Sequence, residues 1–134
     1  MRHQELVGPA AARALDRHLG ALPDPDEHTR VVAGELCEAD DLDAAIARLR
    51  VGAQPGDRVV FLEHVGRPGA FGRLEQAWGD AVARFPWGCH VGRDVVAAFR
   101  RGGFTVSDLE RFTVPTLVPT LRSWVRGVAV AREV

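Results

Sequence analysis

Val59-Val60-Phe61-Leu62 is the stretch that most narrows what this chain can fold into. It lies between a tight turn, Gln54-Pro55-Gly56-Asp57, and the polar pair Glu63-His64. A strand that is apolar at successive positions has both faces out of water. That suits a central parallel strand with cover on both sides. Parallel neighbours need crossover connections, usually helices, so helices must alternate with strands.

The rest of the chain meets that demand. Residues 9–19 read as a helix, with Pro9 in its first turn, Gly20 as its stop and Ala12, Leu15 and Leu19 on one face. Leu22-Pro23-Asp24-Pro25-Asp26 is a turn, because two prolines exclude regular structure. A short apolar strand is expected over 31–36, and a helix over 41–49 capped by Asp40 or Asp41. The central strand covers 58–64. A helix interrupted near Gly69 and Gly72 follows over 68–85, and a loop over 86–90. A helix over 93–101 ends at Gly102-Gly103. Strands are expected over 104–114 and 124–132. Only a loop separates them, so they form an antiparallel pair at one edge.

Composition sets limits. The chain has 134 residues, enough for one domain spanning 1–134 with its own core, and 46% of them are hydrophobic. The net charge of −1 lacks the basic excess of a nucleic-acid binder. No lysine and no tyrosine occur, which excludes a Schiff-base or P-loop lysine and a catalytic tyrosine. Cys37 and Cys89 match neither a CxxC pair nor a zinc spacing, so reduced thiols, a cytoplasmic setting and no metal are expected. No signal peptide and no membrane span are read. Asp24, Asp26, Glu27, Glu35, Glu38, Asp40, Asp41 and Asp43 form an acidic stretch. It reads either as a solvated edge or as a docking surface for a second copy.

Several segments together resemble the small-molecule branch of the class I S-adenosylmethionine (SAM) methyltransferases, the group related to ubiquinone and menaquinone biosynthesis. Leu22-Pro23-Asp24-Pro25-Asp26 through Val31-Val32 is similar to that family's run into its fourth strand. Leu49-Arg50-Val51-Gly52 through Phe61-Leu62-Glu63-His64-Val65 is similar to its run into the fifth. Gly88-Cys89-His90-Val91-Gly92-Arg93-Asp94 resembles the element before its next helix. Gly102-Gly103-Phe104 resembles the start of its sixth strand, and Gly127-Val128-Ala129 part of its seventh.

The resemblance implies a truncated Rossmann-like half-sheet of the α/β class. The fourth, fifth, seventh and sixth strands would lie side by side, flanked by helices. The family's glycine-rich SAM loop has no counterpart, since Gly8 and Gly20 stand alone ahead of the fourth strand. Nor does the ribose-binding acid, and Arg30 replaces the usual aspartate. No cofactor is therefore expected. The fourth strand, central in the family, becomes an apolar edge, which predicts a homodimer through that edge or the adjacent face. The alternative is a monomer whose N-terminal helix folds over it.

Ligands of open α/β sheets bind beyond the carboxyl ends of the strands. Glu63 and His64 fall there and make the candidate acid–base pair, although the resemblance also allows an inherited structural role. His90 is the third catalytic candidate, as a base or as a hydrogen-bond donor to a substrate oxygen. Trp87, Cys89, Arg93, Glu35 and Trp78 are the candidate substrate-binding residues. Trp78, Trp87 and Trp124 could all line an apolar pocket; Trp87 is the better wall, while a tryptophan at helical spacing, as Trp78 is, more often belongs to the core. Arg93 has Glu63 or a substrate carboxylate as its expected partner. These residues predict a SAM-independent tailoring protein of secondary metabolism that cyclises, isomerises or dehydrates a small molecule. The alternative is an accessory half-subunit that methylates only with a partner carrying the SAM loop.

Overall fold

The computed structural model describes residues 9–36, 38–64, 94–115 and 123–133, with His64 described by its backbone. The readings over 68–85 and 86–90 lie outside these residues. The described elements are α1 (Pro9–Gly20), β1 (Thr29–Ala33), α2 (Leu42–Val51), β2 (Arg58–His64), α3 (Val95–Arg101), β3 (Phe104–Thr113) and β4 (Ser123–Ala131). They build one four-stranded sheet in the order β1-β2-β4-β3. This is the arrangement that the resemblance implies, an α/β half-sheet of the Rossmann-like methyltransferase type. β1 runs parallel to β2, with Val32 opposite Phe61, while β4 is antiparallel to both β2 and β3.

Local chemistry explains most boundaries. Asp41 caps α2 by accepting from the Ala44 N–H at 3.0 Å, and Asp94 caps α3 through Ala97 in the same way. With Asp94 as the cap, α3 starts at Val95 rather than at residue 93. β1 starts earlier and stops sooner than 31–36, because Gly34 adopts φ 73° and turns the chain out of the strand. In α1 the buried stripe is Ala11, Ala14 and Leu15, with Ala12 and Leu19 only partly covered. The small residues, not the predicted Leu19, seat the helix closely.

The alternating side chains of β2 divide the core. Val59 and Phe61 face α2 and α3, packing with Ile46, Leu49, Val96, Phe99 and Phe104. The Phe61 and Phe99 rings stack at 4.8 Å. Leu62 faces the other way, toward Ala11, Ala14 and Leu15 of α1, with Trp124 beside it. Trp124 is fully buried and belongs to the core instead of lining a pocket. Gly127 is required by packing: a Cβ there would stand 2.8 Å from the Phe61 ring and 2.9 Å from Leu109.

Candidate functional site

β1 and β2 are the parallel strands, so their carboxyl ends define the crevice expected of such a sheet. β2 delivers Glu63 there, on the face occupied by Phe61 and Val59. Its side chain is 0% exposed. The Oε1 oxygen accepts a hydrogen bond from the Leu36 N–H at 3.1 Å. Two residues before Leu36, the Gly34 N–H donates to the Leu62 carbonyl at 2.9 Å. The loop leaving β1 is thus folded over the end of β2 and fastened to a buried carboxylate. A buried polar group requires such a partner, because desolvation is costly otherwise. Glu63 is therefore a positioning residue for the Gly34–Leu36 turn, whatever it does for a substrate.

His64 is the last residue of β2 and pairs with Trp124 of β4. Glu35 is exposed on the turn after β1. It lines a groove of about 330 Å³ with Arg30, Val32, Leu36, Ala45, Arg48 and Leu49. The groove runs between β1 and α2, beside the sheet edge. Glu35 and Glu63 thus flank one turn, Glu63 buried beneath it and Glu35 open to solvent. Trp78, Trp87, Cys89, His90 and Arg93 lie outside the described residues, as does Cys37.

The acidic stretch is not one surface. Asp24, Asp26 and Glu27 precede β1, whereas Glu35 to Asp43 follow it, at opposite ends of the strand. Asp43 is spent on an ion pair with Arg101 at 3.0 Å. Among the described residues, no group of three His, Cys, Asp or Glu side chains suits a metal ion. No described helix is long and apolar enough to cross a membrane.

Sequence reasoning missed His18. Its ring stacks on Phe112 at 3.6 Å, and Phe112 pairs with Trp124, which pairs with His64. Burial against this row, and then the charge of Arg126, lower its pKa and favour the neutral imidazole. Helical spacing is the signal that would have found it, since His18 stands four residues after Ala14 and three after Leu15, on the continuation of the buried stripe. Arg30 and Arg48 were missed as groove residues too. The strand alternation that puts Arg30 on the face of Val32 is the signal that would have found it.

No known protein-family profile matches the chain, and no curated protein matches it. Solved structures do. The [4+2]-cyclase SpnF is similar over 93% of this chain and 62% of its own, at 17% identity and a TM-score of 0.59. The N-methyltransferase NodS from Bradyrhizobium japonicum WM9, in complex with S-adenosyl-l-homocysteine, is similar over 84% and 50%, at 17% identity and a TM-score of 0.54. The putative methyltransferase in complex with the Haloferax volcanii Trm112 methyltransferase activator is similar over 84% and 58%, at 16% identity and a TM-score of 0.53. The fold is thus that of the SAM methyltransferases and of a cyclase built on the same architecture. The chain spans less than two thirds of each of these proteins.

That fold implies SAM, but the residues present do not fit it. A SAM cradle in such a sheet needs a glycine-rich loop on a strand beyond β1. β1 is the edge of the described sheet, and no Gly-x-Gly occurs anywhere in the 134 residues.

Proposed function

We propose that this chain is a methyltransferase-like protein that tailors a small molecule of secondary metabolism without SAM, as a homodimer. The reaction class is a cyclisation, isomerisation or dehydration. The observation that carries the reading is the fully buried Glu63 carboxylate at the carboxyl end of β2, holding the turn after β1. It stands where open α/β sheets place their ligands, in a chain without a sulfonium cradle. The similarity to a [4+2]-cyclase supports ring-forming chemistry on this architecture.

In this reading Glu63 orients the site, and His64 and His90 are the acid–base candidates. Trp87, Trp78, Cys89, Arg93 and Glu35 contact the substrate. Such chemistry needs little beyond a shaped apolar cavity and a proton donor or acceptor near neutral pH. Calorimetric titration of the purified chain with SAM tests the first half, with no heat of binding expected and micromolar binding overturning it. Incubation with metabolites from the host's extract, followed by mass spectrometry of what stays bound or changes, tests the second. His64→Ala and His90→Ala are expected to abolish the change. Product formation untouched by both removes the acid–base assignment.

A second reading has its own support. The chain spans about half of the similar proteins, and one of these was solved with an activator protein. An accessory half would bind SAM only beside a partner carrying the missing loop, and the same titration with that partner present separates the two readings.

A further inference from the structure

The hydrogen bonds of β1 say which of its backbone groups point away from the sheet. The Arg58 N–H donates to the His28 carbonyl and the Gly34 N–H to the Leu62 carbonyl, both at 2.9 Å. Even-numbered residues therefore face β2, and Thr29, Val31 and Ala33 turn their N–H and C=O outward. Thr29 is already paired. Its carbonyl accepts from Asp26 at 2.9 Å and its N–H donates to Asp26 at 3.4 Å. At the other end, Gly34 turns the chain off the edge. The open part of the edge is thus Val31 and Ala33, whose outward groups have no hydrogen-bond partner among the described residues.

We propose that a second copy of this chain docks on this edge, antiparallel, with Val32 opposite Val32 on the two-fold axis. In that register Val31 of one copy faces Ala33 of the other, and each pair exchanges both backbone hydrogen bonds. All four outward groups of each copy are then satisfied. A register centred on Val31 or on Ala33 leaves some of them facing the occupied Thr29 position or the turn at Gly34.

The charges beside the edge agree with the same two-fold. Arg30 and Glu35 line one groove from opposite ends of β1, and neither has an ion pair among the described residues. The antiparallel register sets Arg30 opposite Gly34 of the second copy, next to its Glu35. Two such contacts form per dimer, each joining opposite charges. The contact also brings a cation from one copy to the Gly34–Leu36 turn that Glu63 holds in the other, so each site would border residues of both chains. The inference rests on the dimeric part of the proposed function and specifies its partner, register and ion pair.

Sedimentation of the purified chain is the test. The wild type is expected to run at twice the 14.6 kDa of one chain. Val31→Pro removes one outward N–H at an edge position that tolerates proline, and is expected to give a monomer with unchanged far-ultraviolet circular dichroism. Arg30→Glu and Glu35→Arg each place like charges together and are expected to weaken the dimer by about tenfold or more. Both changes in one chain restore opposite charges across the axis and are expected to bring the affinity back, which keeps the test decisive if the proline variant unfolds. A monomeric wild type overturns the proposal, as does a dimer that ignores the charge reversals, or a double variant no tighter than the singles. None of these readouts involves a substrate. A dimer that binds no small molecule therefore refutes the proposed function and leaves this interface standing.

Discussion

The two edges of the sheet are built to opposite plans. β3 carries a bulge between Ser107 and Glu110, a residue at positive φ (Asp108, 53°), and a run of exposed side chains from Ser107 to Arg111. Bulges, charges and irregular backbone are the devices by which proteins keep an edge from pairing with strangers. An ion pair between Arg126 and Glu110 locks the bulge to the neighbouring strand. β1 has neither bulge nor positive φ along its length, and Arg30 is its one charge. It is five residues long, regular, and apolar at Val31, Val32 and Ala33. What limits it lies at its ends, where Asp26 closes the start and Gly34 the finish. One edge is defended along its length, whereas the other is trimmed to a two-residue window. That difference is why the proposed docking is on β1 and not on β3.

Substitutions at three positions sharpen or break this contrast beyond the tests above. The largest effect is expected at the carboxyl end of β1. Glu63→Ala removes the acceptor of a buried N–H and is expected to cost about 1–3 kcal/mol in urea unfolding. The Leu36 amide should lose protection from hydrogen exchange. Glu63→Gln keeps an oxygen acceptor and should lose less, and equal losses for both would mean that the bond to Leu36 does not hold the turn.

A smaller effect is expected on the defended edge. Asp108→Val forces a β-branched residue into the left-handed region and is expected to cost about 1–2 kcal/mol. The sedimentation coefficient should not change if the second copy docks on β1 as proposed. A change in association state from this substitution would exchange the roles of the two edges.

The smallest effect lies at the amino end of β1. The exposed His28 ring contacts the Asp57 carboxylate at 3.1 Å. The hydrogen bond to Asp57 and then its charge raise the His28 pKa above the ordinary 6.5. The Gln54 N–H, and then His28, lower that of Asp57 below 3.8. The histidine's contribution is full below its unfolded pKa and fades as pH rises through the raised folded value. The aspartate's is full above its unfolded pKa and is lost as pH falls through the depressed one. The contact is therefore strongest in mildly acidic solution. Melting temperatures across that range should flatten slightly in His28→Ala, since an exposed pair contributes little. An unchanged profile would mean that the contact does not tie the start of β1 to β2.

Much of the sheet was legible in the chain because burial leaves a local mark. Val59-Val60-Phe61-Leu62 is apolar on both faces, and β2 is indeed the strand with helices on both sides. The cap at Asp41 is a short-range device, with donor and acceptor three residues apart, whereas the equivalent cap at Asp94 stands where the sequence suggested the helix had already begun. The buried face of α1 was read less well. Ala11 and Ala14 are chosen by how closely the helix can approach Leu62 and Trp124, and that is a property of the pair of surfaces. For the site, the position of Glu63 at a strand end followed from strand length alone. Its bond to Leu36 joins residues 27 apart in sequence, and no local pattern announces it.

Taken alone, the sequence determined the alternation of helix and strand, the antiparallel final pair and the strand order implied by its resemblance. Each of these depends on periodicity, turn chemistry or motif, which act within a few residues. Only the tertiary structure decided which carboxylate is buried, which two residues of β1 stay open, and that Arg30 and Glu35 share one groove. Those facts depend on which distant segments meet, and that is settled when the sheet assembles and each backbone group finds, or fails to find, a partner.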